Sequence, residues 1–164
     1  MAATPEQLLA RLEELGLKTQ THHHAPVYTV EESKALRGDL AGGHCKNLFL
    51  KDKKGQLWLV VTDEDRPIDL KALRHLIGAG HLSFGKPDLL MEVLGVEPGA
   101  VTPFALINDA EQRVRVVLDA EMMSAAEVLN YHPLSNAATT AIAPADLVAF
   151  IESCGHSPEI VKLS

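Results

Sequence analysis

Three short stretches hold the residue types and spacings best suited to chemistry. In the first, Lys46-Asn47 follows soon after Gly42-Gly43. Glycines allow a backbone to approach a ligand closely. A lysine where an apolar strand begins can aim its charge at a phosphate or a carbonyl. The second is Gly95 to Pro103, where the Gly99-x-x-x-Pro103 spacing can curve the chain into a concave loop. Backbone N–H groups in such a loop can hold an oxyanion or orient water. The third is His132-Pro133, a histidine kept extended by the following proline. Asn136, Thr139 and Thr140 add polar groups close by. Each stretch also has an ordinary structural reading: a solvated strand end, a connecting loop, a sheet cap.

Other chemistries find less support. His22-His23-His24 invites a metal, but three consecutive side chains on a strand alternate and cannot converge on one ion. No Cys-x-x-Cys or His-Glu-x-x-His spacing is present, so no metal site is expected. Cys45 lies beside His44, yet strand neighbours point to opposite faces, and an inert thiol is the expectation. The Gly-x-Ser-x-Gly elbow, the phosphate-binding Walker loop and the dinucleotide fingerprint are all missing, so no organic cofactor is expected.

The elements that must position these residues can be read from caps and periodicity. Thr4, Pro5 and Gln7 form a capping box and first turn, with Leu8, Leu12 and Leu15 at helical spacing. Lys18 to His23 reads as a strand, and Thr29 to Gly38 as a helix with Glu32 completing a second capping box. Cys45–Leu50 and Gln56–Thr62, joined through Lys53-Lys54-Gly55, read as a hairpin. Asp69 caps a helix to Ile77, and Pro87 opens another to Leu94. Val101–Ile107 and Arg113–Leu118 read as two strands joined at Asn108-Asp109. Val128–Tyr131 and Thr139–Ile142 are further strands, Pro144 to Cys154 a helix, and Ile160–Leu163 a final strand. Helices and hairpins interleave without a regular βαβ repeat. The expectation is one α+β domain over residues 1–164, with a mixed or barrel-like sheet flanked by helices.

Composition narrows the function. The 164 residues are 46% hydrophobic and 23% charged, as in an ordinary globular protein. Only 4% are aromatic, so the core must rest on Leu, Val, Ile and Ala. No apolar run reaches the roughly 18 residues that span a bilayer. The first residues lack the basic start and apolar run of a signal peptide, so a soluble cytoplasmic chain without membrane contact is expected. Two distant cysteines make no disulfide framework. A net charge of −7 opposes broad binding to nucleic acid. It leaves room for a local positive rim, for which Lys46, Lys51, Lys53, Lys54, Arg66, Lys71 and Arg74 are candidates.

Taken together, Lys46-Asn47-Leu48-Phe49-Leu50, Gly99-Ala100-Val101-Thr102-Pro103-Phe104 and His132-Pro133-Leu134-Ser135-Asn136 resemble, in this order, the prolyl-tRNA editing domains. These comprise freestanding editing proteins, the insertion domain of bacterial prolyl-tRNA synthetases and the YbaK-type deacylases. His24-Ala25-Pro26-Val27 and Leu118-Asp119 extend the resemblance over nearly the whole chain. Within the group the chain is most similar to the Ala-tRNA(Pro) deacylases. The resemblance implies an editing-domain fold and hydrolysis, without metal, of the ester joining a wrong small amino acid to tRNA(Pro). It implies that Lys46 contacts the terminal phosphate or sugar and that Asn47 helps hold the aminoacyl end. It implies that Gly99, Ala100, Val101, Thr102 and Pro103 position the ester or attacking water, and that His132 faces the aminoacyl group, with Asn136 nearby. The implied partner is the tRNA(Pro) acceptor end, with the synthetase or an elongation factor as further candidates. The alternatives are a deacylase for tRNA carrying Cys or Ser, and a non-catalytic nucleic-acid-binding or regulatory module.

Overall fold

Thr4 starts the first helix, α1 (Pro5–Glu14), as its residue type demands. Its hydroxyl accepts from the Gln7 amide at 3.2 Å, and the Gln7 side chain accepts from the Thr4 amide at 2.9 Å. The computed structural model describes residues 2–25 and 42–163, so the helix expected at 29–38 lies outside the described residues. The strands are β1 (Thr19–His23), β2 (Gly43–Asp52), β3 (Leu57–Asp63), β4 (Leu82–Phe84), β5 (Val114–Asp119), β6 (Leu129–Tyr131), β7 (Ala138–Ile142) and β8 (Glu159–Val161). The remaining α-helices are α2 (Leu70–Ile77), α3 (Pro87–Leu94), α4 (Ala120–Ala125) and α5 (Pro144–Ser153).

Among the described residues, eight strands join one mixed sheet in the order β1-β7-β6-β2-β3-β5-β8, with β4 on β2. The β2–β3 hairpin is antiparallel, with Lys46 opposite Thr62. β3 pairs parallel with β5, and β5 with β8, so helical crossovers must link them. β6 and β4 pair with opposite ends of β2, at Gly43–His44 and at Leu50–Asp52. Leu57 to Thr62 of β3 are all buried, as befits a central strand covered on both faces. On one face Leu59 and Val61 join Leu8 and Leu12 of α1, Phe104 and Phe150. On the other, Trp58 and Val60 join Leu50, Leu73 and Ile77.

Two expectations change. Val101–Ile107 is not a strand: Pro103–Asn108 winds into a 3-10 turn. The Thr102 hydroxyl accepts from the Phe104 amide at 3.2 Å, and Pro103 takes the first helical position. Pro103 through Leu106 are buried consecutively, which a one-face strand would not allow. The second change is an addition of β4 and α4. Asp119 caps α4, its carboxylate accepting from the Glu121 amide at 3.0 Å.

Gly42 has φ +102, and a Cβ there would lie 2.8 Å from the Val128 carbonyl oxygen. The Gly43 amide donates to that same carbonyl at 2.9 Å. The close approach allowed by these glycines is thus to β6, at the root of the strand that carries Lys46.

Candidate active site

Helix α3 with the loop that follows it and the segment after His132 are far apart in sequence but face each other across a cavity of about 800 Å3. Pro87, Asp88 and Met91 of α3 form one wall, residues 95–100 a second, and Leu134, Ser135 and Asn136 a third. Gly95 ends α3 at φ +68, and a Cβ there would meet the Asn108 amide nitrogen at 2.9 Å. Asn108 fastens this corner: its side chain donates to the Leu94 carbonyl at 2.8 Å and accepts from the Ala3 amide at 2.8 Å. Pro98–Ala100 then forms a single 3-10 turn. Gly99 is half-buried and Ala100 buried, and both are on the cavity wall. Val101, extended and half-buried, leads to Thr102 and Pro103, which are fully enclosed beneath the loop. Their visible work is to cap and start the following turn. Pro98 has no amide hydrogen, so the Gly99 N–H is the first donor of its turn without a partner inside it.

On the third wall, Leu134 has φ +69, a left-handed conformation rare for a branched side chain. Holding it there costs on the order of 1–3 kcal/mol, and such strain concentrates at functional sites. His132, two residues earlier, is half-buried and is not part of the cavity wall. The Ala138 carbonyl lies 2.9 Å from its Nδ1. A carbonyl only accepts, so Nδ1 carries the hydrogen and Nε2 is the lone-pair nitrogen of the neutral ring. Burial pushes the His132 pKa below the ordinary histidine value; the Ala138 bond opposes this and His24 adds to it. The His24 ring stands edge-on to His132 at 6.4 Å. Its own Nδ1 donates to the Ala25 carbonyl at 2.8 Å, and its Nε2 meets the Thr139 hydroxyl at 2.9 Å. His22 and His23 remain exposed on β1.

Lys46 and Asn47 are adjacent on β2, so their side chains leave opposite faces. Lys46 shares a face with Thr62, and its ammonium donates to the Arg66 carbonyl. Arg66 in turn binds the fully buried Asp119 at 2.7 Å and the Glu121 carboxylate. Thr62 donates to Asp119 at 2.6 Å. Arg66 is therefore engaged by carboxylates and is withdrawn from the expected positive rim. Asn47 faces the other way, and its amide oxygen is buried with no hydrogen-bond partner among the described residues. Cys45 lies on the Asn47 side, where burial pushes its thiol up to about 12 despite a bond with Tyr131. A thiol so raised is no nucleophile at neutral pH. Among the described residues no three His, Cys, Asp or Glu side chains converge as metal ligands would.

The structure thus brings Gly99, Ala100 and Asn136 to one cavity and places Lys46, Asn47 and His132 outside its wall. Sequence reasoning did not single out Asp88 or Met91, read Pro87 only as a helix start, and took Glu97 only as part of the Gly95–Pro103 loop. The proline-led start of α3 was the only signal for Asp88 and Met91.

Comparison with known proteins settles the family. Residues 24–150 match the model of the aminoacyl-tRNA editing domain. The chain belongs to that family. The prolyl-tRNA synthetase associated domain-containing protein 1 of Danio rerio is 41% identical over 98% of this chain and 90% of its own length. The prolyl-tRNA editing protein ProX of Acetoanaerobium sticklandii is 37% identical, over 96% of both chains. A crystal structure described as that of a candidate trans-editing enzyme for prolyl-tRNA synthetase superposes with a TM-score of 0.71 at 20% identity, covering both chains fully. At that identity the likeness speaks for the fold. The mixed sheet with flanking helices is therefore the editing-domain architecture.

Proposed function

We propose that this chain is a trans-editing hydrolase that deacylates mischarged tRNA(Pro), with alanine as the amino acid removed. Membership in the editing family and the similarity to ProX support the reaction class. The single observation that carries the reading is the shared cavity, which joins the Gly99 loop to the segment following His132. Its walls suit an aminoacyl end. Asp88 and Glu97 match an α-ammonium group in sign, while Met91, Val96 and Leu134 offer apolar surface to a small side chain.

In this reading the water oxygen attacks the ester carbonyl carbon. The tetrahedral oxyanion meets the Gly99 turn, where a positioned N–H stabilises developing charge. The bond between the carbonyl carbon and the ribose oxygen then breaks; one proton of the attacking water passes to the ribose oxygen and the other to solvent, so the amino acid leaves as a carboxylate. The Nε2 lone pair of neutral His132 orients the aminoacyl group from the cavity's edge. Lys46 serves the terminal phosphate or sugar and Asn47 helps hold the aminoacyl end, from opposite faces of β2. For Lys46 this requires exchanging the Arg66 carbonyl for substrate. Thr102 and Pro103 act on the substrate through the loop shape they impose. Selectivity rests on size, because one methylene is worth only about 1–3 kcal/mol in a synthetase pocket and a second site must supply the rest.

Hydrolysis assays with Ala-, Cys-, Ser- and Pro-tRNA(Pro) and with Ala-tRNA(Ala) test this directly. Rapid loss of alanine from tRNA(Pro) alone is expected. Preference for the cysteine or serine ester would replace the alanine assignment, and inertness toward every ester would remove the enzymatic reading.

A further inference from the structure

The chain carries seven more acidic than basic side chains, 22 against 15, yet one region runs against that balance. Lys53 and Lys54 occupy the β2–β3 turn, and Lys71, Arg74 and His75 lie on α2. These elements meet at His81. The Lys53 amide donates to the His81 carbonyl at 3.1 Å, and the Arg74 guanidinium stands 3.0 Å from the His81 ring nitrogens. Arg74 foremost, then slight desolvation, Lys53, His75 and Lys71, hold the His81 pKa below its ordinary value. One imidazole thus feels cationic groups from the turn and the helix together. The local carboxylates do little to offset them. Asp52 is buried and turned inward to Trp58 and the Lys54, Gln56 and Gly80 amides. Asp69 caps α2 through the Lys71 amide, and Asp88 opens α3.

Beside this cluster Phe84 of β4 is 63% exposed, in a chain with only four phenylalanines. β4 packs against α2. Phe84 is followed by Gly85, by Lys86 at the cap of α3, and by Pro87, which is on the cavity wall. Three residues span at most about 10 Å. Phe84 is therefore within about 10 Å of the cavity wall at Pro87 along the chain, while its strand packs against the helix of the cationic cluster.

Exposed aromatic and cationic groups in one track are what single-stranded RNA ends require. Phosphates pair with the cations, and unpaired bases stack on the ring. We propose that the β2–β3 turn, α2 and β4 form the seat of the RNA leading away from the cavity. Lys53, Lys54, Lys71 and Arg74 contact its phosphates, and Phe84 stacks on an unpaired base near the acylated end. This rests on the deacylase reading for the direction of the track, while RNA binding by the surface can be measured without it.

The test uses fluorescence anisotropy of the full chain with labelled, unacylated tRNA(Pro) transcript, across a salt series. The triple variant Lys53→Glu, Lys54→Glu, Lys71→Glu changes only exposed side chains. It should weaken binding by about tenfold or more and flatten the log Kd against log salt slope by about 0.7–0.9 per lost phosphate contact. Phe84→Ala should weaken binding about fivefold or more with the slope nearly unchanged. In deacylation, both variants should raise KM and leave kcat intact. Parent-like Kd and slope in the triple variant would overturn the surface, and parent-like Kd in Phe84→Ala would overturn the stacking. A parent that binds the transcript through these residues but cleaves no ester leaves the surface standing and removes the deacylase reading. A parent that deacylates while the triple variant keeps its KM removes the surface alone.

Discussion

At the residue scale, His132 combines half-burial with a fixed tautomer, because the Ala138 carbonyl claims its Nδ1. Its pKa is depressed first by burial and further by His24. The ring is therefore neutral at pH 7, and activity that depends on the Nε2 lone pair should fall only below the ordinary histidine range near 6.5. The same sign applies to stability: the unfolded chain binds the proton more readily, so this contribution is present above about 6.5 and lost as pH falls toward the folded value. We expect His132→Ala to cut kcat/KM by about 10–100-fold and to abolish that acid limb. His24→Ala should move the limb upward, because one depressing charge is gone. A pH–rate profile of the three proteins checks both. Lys46→Ala should lower deacylation by on the order of 100-fold, since a charged contact to substrate is lost, while far-UV circular dichroism stays parent-like. Parent-like rates would remove Lys46 from the site.

At the element scale, the β2–β3 hairpin is held by one buried carboxylate. Asp52 accepts from Trp58 Nε1 at 3.1 Å and from the amides of Lys54, Gln56 and Gly80. Burial opposes its ionisation, but these bonds outweigh it and hold its pKa below the usual carboxylate value. Its stabilisation is complete above about pH 4 and disappears as pH falls through the lowered value. Asp52→Asn should cost on the order of 3 kcal/mol in urea unfolding at pH 7, because buried donors lose their charged acceptor. The difference from the parent should shrink in strong acid. Gly42→Ala should also destabilise, by about 2–3 kcal/mol, since both its φ and the Val128 carbonyl forbid a methyl group. A Tm lower by about 5–10 °C would show it.

At the scale of the whole molecule, the β5–α5 side is closed by Asp109 and His156, which meet at 2.9 Å with both side chains almost fully buried. Asp109 also accepts from the Arg113 and Val114 amides, at 3.0 and 2.9 Å. The His156 bond and these amides outweigh burial and depress its pKa. Removing one member of such a pair leaves the other buried without its counterpart, so His156→Ala should cost about 3–5 kcal/mol. Denaturant unfolding checks this. Deacylation of Ala-tRNA(Pro) by the surviving folded fraction should be unchanged, because the pair lies apart from the cavity wall. Charge is also organised at this scale. A net −7 hides a cationic turn and helix, while Arg66, expected at the rim, is consumed by Asp119 and Glu121.

The sequence by itself determined the elements whose signals are local. The capping box of α1, the Asp69 cap and the alternating hairpin with its Lys53-Lys54-Gly55 turn depend on neighbours a few residues apart, and they stand where they were read. Val101–Ile107 misled because a short apolar run fits a strand and a buried helical turn equally, until Phe104 is seen enclosed by Tyr131 and Phe150. Three-residue β4 has no periodicity to detect and exists through its pairing with Leu50–Asp52. The motif resemblance singled out Gly99 and Asn136, and a cavity shared by the Gly99 bend with Lys46 and His132 was expected, but the cavity wall holds Gly99 and Asn136 without Lys46 or His132. Its remaining walls come from α3 and from a strained Leu134, and only long-range packing brings those together. Adjacency on a strand already puts Lys46 and Asn47 on opposite faces, but tertiary structure decided which layer each face meets, because that is fixed by register and not by composition.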